Sequence, residues 1–86
     1  MDVSITPQFW RQFKKLSKPL CEEAYEKIEL FRELERHPML HVHKLHGKLA
    51  GRWSFSVNYR YRIVFVWEKM NESAILIAIG DHAVYD

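Results

Sequence analysis

Apolar residues recur along this chain with two different periods. The first half reads as helical and the second half as strand-forming. Asp2 to Ile5 alternates and predicts a short opening strand. Thr6-Pro7 has the chemistry of a helix start: a hydroxyl that accepts an orphan amide hydrogen bond, then a residue whose missing N–H costs nothing in the first turn. Phe9, Trp10, Phe13 and Leu16 then fall on one helical face. Ser17-Lys18-Pro19 breaks this helix and starts another, with Cys21, Ala24, Tyr25, Ile28, Phe31 and Leu34 at helical spacing. Glu22 and Glu23 in its first turn suit the helix dipole, and Glu23 with Lys27 makes a favourable i,i+4 pair. Pro38 disfavours helical geometry at His37, so the helix is expected to end near Arg36.

Beyond residue 40 the period drops to two. A short strand is expected around Val42 to Leu45, after which Gly47 and Gly51 serve as turn residues. Trp53, Phe55 and Val57 alternate with Ser54 and Ser56, and Asn58 follows as a tight turn. The next run puts Tyr59, Tyr61, Ile63, Phe65 and Trp67 on one face and Arg60, Arg62, Val64 and Val66 on the other. Met70-Asn71-Glu72-Ser73 is a polar hairpin turn, and the apolar run Ala74 to Ile79 reads as a central strand buried on both faces. The order predicts an α+β fold: an N-terminal strand, an antiparallel helix pair, then a three- to four-stranded antiparallel sheet carrying the helices on one face.

Eighty-six residues, 48% of them hydrophobic and 14% aromatic, suit one compact domain spanning 1–86 and argue against disorder. The formal net charge of +2 is low for a nucleic-acid binder, so any electrostatic footprint has to be local. The charges are unevenly placed. Residues 44–62 hold five Lys and Arg and no acid, whereas residues 22–35 hold six Glu. Cys21 is the only cysteine, which excludes an internal disulfide and fits a reducing cytoplasm. The N-terminus lacks the basic and apolar regions of a signal peptide, and no apolar run is long enough to span a membrane.

The groups that bear chemistry sit at strand ends. Arg62 shares a strand face with Val64 and Val66, and its planar guanidinium suits a phosphate. Arg60 is equally served by stacking on a tyrosine. His82 follows Gly80-Asp81 at the end of the last strand, where an imidazole is a candidate general acid or base. Tyr85 either stacks on a base or plugs the C-terminus, and the two readings weigh the same. His37, His41, His43 and His46 cluster within ten residues, with His41 and His43 expected on one strand face. No Asp or Glu lies between His37 and Glu68 to orient ligand imidazoles, which argues against a metal site. His43 and His46 are better candidates for a base or a phosphate contact. Lys44 and Lys48 serve as phosphate contacts or as plain surface lysines. Together these groups point to chemistry on RNA that needs no cofactor.

Taken in order, these segments resemble toxins of the RelE/ParE superfamily from bacterial type II toxin–antitoxin systems. The resemblance rests on Thr6-Pro7, the helix pair, Lys44-Leu45-His46-Gly47 with Gly51-Arg52-Trp53-Ser54, Tyr61-Arg62-Ile63-Val64-Phe65, and Gly80-Asp81-His82 with Tyr85. It covers almost the whole chain and favours the RelE-like branch, which has a small RNase fold and cuts mRNA in the ribosomal A site. It implies Arg62, His82 and Tyr85 as the strand arginine, terminal histidine and terminal aromatic of that branch. His43 stands where some relatives carry Glu, and the lysine-rich catalytic set of RelE itself is not reproduced. Lys44, His46, Lys48, Arg52 and Arg60 are then expected along the RNA, with a cognate antitoxin, mRNA and the ribosome as partners. The alternative is a ParE-like gyrase inhibitor, or a silent homologue that only binds its antitoxin.

Overall fold

The computed structural model describes residues 1–81. The elements run β1 (Asp2–Ile5), α1 (Pro7–Phe13), α2 (Lys18–Phe31), a 3₁₀ segment (Leu34–Leu40), β2 (His43–Lys44), a 3₁₀ turn (Gly47–Leu49), β3 (Trp53–Ser56), β4 (Arg62–Lys69) and β5 (Ser73–Gly80). Five strands make one sheet in the order β1-β5-β4-β3-β2. The last four in sequence are mutually antiparallel, as expected. β1 joins them as a fifth strand, parallel to β5 at the edge. β5 is therefore an interior strand, and β4 occupies the middle.

Both helix starts form as their sequences predict. Thr6 caps α1, its hydroxyl accepting from Phe9 N at 3.1 Å with Pro7 in the first turn. Ser17 caps α2 in the same way, accepting from Leu20 N at 3.4 Å. Thr6 has a second role. Its N–H donates to Leu76 O at 3.0 Å and its hydroxyl to Ile77 O at 3.1 Å. Gln12 Oε1 then accepts from Ile79 N at 2.9 Å. Where β1 stops, α1 takes over the edge of β5 and satisfies its exposed backbone groups.

The second helix stops at Phe31, five residues before its expected end. Phe31 is fully buried, stacks on Phe55 at 4.3 Å and on His37 at 4.8 Å between centroids, and meets Phe65 edge-on at 4.7 Å. His37 turns back so that its Nε2–H donates to Phe31 O at 2.7 Å, occupying the carbonyl that a continuing helix would use. Pro38 sits inside the 3₁₀ segment rather than beyond a helix. Trp10, expected on the buried face of α1, is 48% exposed.

The core lies between the helices and one sheet face, where Phe9, Phe31, Leu40, Phe55, Ile63, Phe65 and Leu76 are buried. On the other face the strands carry smaller side chains. Ser54, Val64 and Ala78 are buried there in one cross-strand row. The sheet thus has a bulky aromatic side toward the helices and an opposite side built of smaller residues in this row.

Candidate RNA-processing site

Strand register decides which of the candidate residues meet. Ser56, Arg62 and Gly80 form one cross-strand row, and His43, Ser54, Val64 and Ala78 form the next. His43 and Arg62 are therefore two strands and two residues apart, roughly 12 Å between Cα atoms by ordinary strand spacing. Gly80 is the direct partner of Arg62, so β5 ends beside the guanidinium. His82 and Tyr85 lie outside the described residues.

The guanidinium of Arg62 is half-buried and held by its own turn. Nη1 donates to Asn58 O and, at 3.1 Å, to Tyr61 O. Among the described residues nothing else hydrogen-bonds it, which leaves Nε and Nη2 as a fork for an anion. The turn itself is built around Asn58. Its Oδ1 accepts from Arg60 N at 2.9 Å and Tyr61 N at 2.8 Å, and its Nδ2 donates to the Glu23 carboxylate on α2. Glu23 is thereby drawn to the turn instead of to Lys27, and the expected Glu23–Lys27 ion pair is not among those formed.

This turn also corrects the expected strand. β4 begins at Arg62, so Tyr59 and Arg60 lie in the turn rather than on alternating strand faces. Tyr59 is 94% exposed. Arg60 reaches Asp81 at 3.9 Å and lies over the Tyr61 ring at 5.9 Å, both exposed contacts worth little. The stacking expected of Arg60 is present.

The histidines separate into different roles. His37 belongs to the core, as described. His41 has φ 55° at the end of the 3₁₀ segment and is not on the strand with His43, as had been expected. Its carbonyl meets His43 Nδ1 at 2.7 Å. A carbonyl only accepts, so Nδ1 of the exposed His43 carries a proton; in the neutral ring the lone pair then lies on Nε2, the arrangement a general base uses. No three His, Cys, Asp or Glu among the described residues stand close enough to share a metal ion.

The loop after β2 supplies further positive charge. His46, Lys48 and Arg52 are exposed on a turn closed by Leu45 N to Arg52 O at 2.8 Å and Arg52 N to Leu49 O at 3.0 Å. Gly47 and Gly51 have φ 68° and 90°, which this tight path demands. Lys44 lies over the Trp53 ring at 5.9 Å. The cationic groups from Lys44 to Arg62 thus come from β2, the loop and the turn before β4, with no carboxylate among them. Sequence reading saw Asn58 as a turn residue but missed its link to Glu23, because nothing local pairs positions 35 residues apart.

Three solved structures with this fold are a toxin and two toxin–antitoxin complexes. A YoeB/ParE toxin from Agrobacterium tumefaciens is 20% identical with a TM-score of 0.68, over 95% of this chain and 99% of that one. The RelBE2 toxin–antitoxin complex from Mycobacterium tuberculosis gives 21% and 0.70, over 94% and 96%. The YoeB–YefM complex from Staphylococcus aureus gives 17% and 0.72, over 95% and 97%. At these identities the likeness establishes the fold. Among curated proteins no sequence match is found. Residues 11–81, however, match the family model described as the RelE-like toxin of the type II toxin–antitoxin system HigB. The chain therefore belongs to the HigB-like branch of the RelE toxins of type II toxin–antitoxin systems.

Proposed function

We propose that this toxin, acting as one domain of residues 1–86, cleaves mRNA on the ribosome and so stops translation. The observation that carries the reading is the register: it sets Arg62 beside the end of β5 and His43 two strands away on the same sheet face. His43 Nε2 takes the proton from a ribose 2′-OH. The 2′-oxygen attacks phosphorus, and Arg62 stabilises the pentacovalent phosphate through Nε and Nη2. The bond to the 5′-oxygen breaks, and His82 protonates that leaving oxygen. The products are a 2′,3′-cyclic phosphate and a free 5′-hydroxyl. Tyr85 stacks on or orients the substrate. Lys44, His46, Lys48, Arg52 and Arg60 contact the RNA backbone, each giving up salt-sensitive affinity when removed.

The same reading assigns a short cognate antitoxin as the protein partner, since the Mycobacterium and Staphylococcus relatives are complexes of a toxin with its antitoxin. It places the toxin in the cytoplasm, where ribosomes are. Among the described residues no helix is long and apolar enough to cross a membrane. The test is a translating extract programmed with one mRNA. Purified toxin should produce cuts inside the translated frame with cyclic-phosphate ends, and Arg62→Ala and His43→Gln should lose them while staying folded. Intact mRNA beside the toxin would refute the reading, and inhibition of gyrase supercoiling would replace it.

A further inference from the structure

A second cationic feature lies at the end of the sheet, where the turn before β4 approaches α2. A cleft of about 290 Å³ opens there, lined by Lys27, His41, Ser56, Tyr59 and Arg62 among others. Its volume is at the lower end for ligand pockets, room for one nucleotide and not for a run of them. Three of these residues bear basic groups, and no carboxylate lines the cleft.

Lys27 gives the cleft its character. It is only partly exposed on α2, and it has no ion-pair partner among the described residues. The carboxylate that helix spacing would offer it, Glu23, is engaged by Asn58. A half-buried ammonium without a counter-charge, beside a half-buried guanidinium with free donors, favours an anion between them. On the rim stands Tyr59, whose ring is 94% exposed. An aromatic ring standing clear of the turn offers a flat face on which a base can stack.

Resting on the RNA reading above, we propose that this cleft is a subsite for one nucleotide of single-stranded RNA next to the one that is cut. Its phosphate lies between Lys27 and Arg62, and its base stacks on Tyr59. Arg62 then touches two successive phosphates: Nε–H and one Nη2–H hold the scissile phosphate, and the second Nη2–H reaches its neighbour. His41 closes the wall opposite, and its main-chain carbonyl also orients His43.

The test is a titration of the full-length protein with a short single-stranded oligoribonucleotide carrying 2′-O-methyl riboses, which cannot be cleaved. Fluorescence anisotropy is read at several salt concentrations. Lys27→Met should lower the magnitude of the log–log salt slope by about 0.7, the value of one phosphate contact on a single strand. Tyr59→Ala should weaken binding by roughly 5- to 150-fold, the range of one base–aromatic stack, and Tyr59→Phe should restore it. Both residues sit at the surface, so melting curves should match the parent. Wild-type affinity and slope in both variants would overturn the subsite, with RNA held by the Lys44–Arg52 face alone. Lost binding in these variants, from a protein that makes no cuts during translation, would keep the subsite and refute the cleavage reading.

Discussion

Asn58→Ala is the substitution that best probes how the fold aims its guanidinium. The side chain makes three hydrogen bonds: two accepted from the Arg60 and Tyr61 amides and one donated to Glu23. Each is worth about 0.5–1.5 kcal/mol net. Water replaces the bond to the exposed Arg60 amide more readily than the one to the half-buried Tyr61 amide. The loss should total about 2 kcal/mol, a fall in Tm of roughly 8–16 °C for a chain of this size. The Asn58 carbonyl is also an acceptor for Arg62, so a loosened turn misplaces the guanidinium. Misplacement by an ångström is worth up to about 100-fold in rate.

Asn58→Asp separates the two effects. It keeps both acceptor bonds but sets a carboxylate against Glu23. Glu23→Gln added to it restores a hydrogen bond with donor and acceptor exchanged. Thermal melting should rank the parent first, then the double variant, then Asn58→Asp. RNA cleavage should follow the same rank. If Asn58→Ala melts within a degree or two of the parent, the turn does not depend on this side chain. If the double variant is no more stable than Asn58→Asp, the Glu23 link carries no weight.

Other substitutions test the scaffold. Thr6→Ala removes both the α1 cap and the hydroxyl bond to Ile77 O, and should cost about 1–2 kcal/mol by urea unfolding, with most of it recovered in Thr6→Ser. Gln12→Leu leaves the Ile79 amide without its acceptor and should cost about 1–3 kcal/mol, whereas Gln12→Glu should be far milder. Phe31→Ala empties the centre of the ring stack and should cost about 3–5 kcal/mol, enough to leave so small a chain largely unfolded. A cooperative transition at the parent's temperature would contradict that placement of the core.

Much of this fold could be read from short-range chemistry. The caps at Thr6 and Ser17 are local signals and formed where the residues predicted. The alternation through Trp53 to Ser56 and Ile63 to Trp67 gave strands and their buried faces. Features decided by distant contacts were not legible. The parallel pairing of β1 depends on the β5 edge more than 70 residues away. The early end of α2 depends on Phe31 meeting Phe55 and on His37 folding back. Tyr59 looked like the start of a strand because its alternation continues that of Tyr61 and Ile63, but Asn58 captured both following amides and delayed the strand to Arg62.

The candidate site divides in the same way. Arg62 could be picked out because strand alternation sets it on one face with Val64 and Val66 and its planar guanidinium suits a phosphate, both readable locally. Lys27 could not, since helix spacing assigned it to Glu23 and only the tertiary contact with Asn58 freed it. His41 and His43 were expected on one strand face, but a left-handed backbone at His41 placed them in different elements.

Whether the side chains on the sheet face opposite the core, Arg62 above all, cut mRNA decides the proposal. The most direct measurement is primer extension on one abundant mRNA after induction of the toxin in cells, beside Arg62→Ala expressed to the same level. The account predicts new ends within translated codons for the parent, none for Arg62→Ala, and loss of protein synthesis only in the first culture. Growth arrest with intact mRNA, or equal cutting by both proteins, would contradict it.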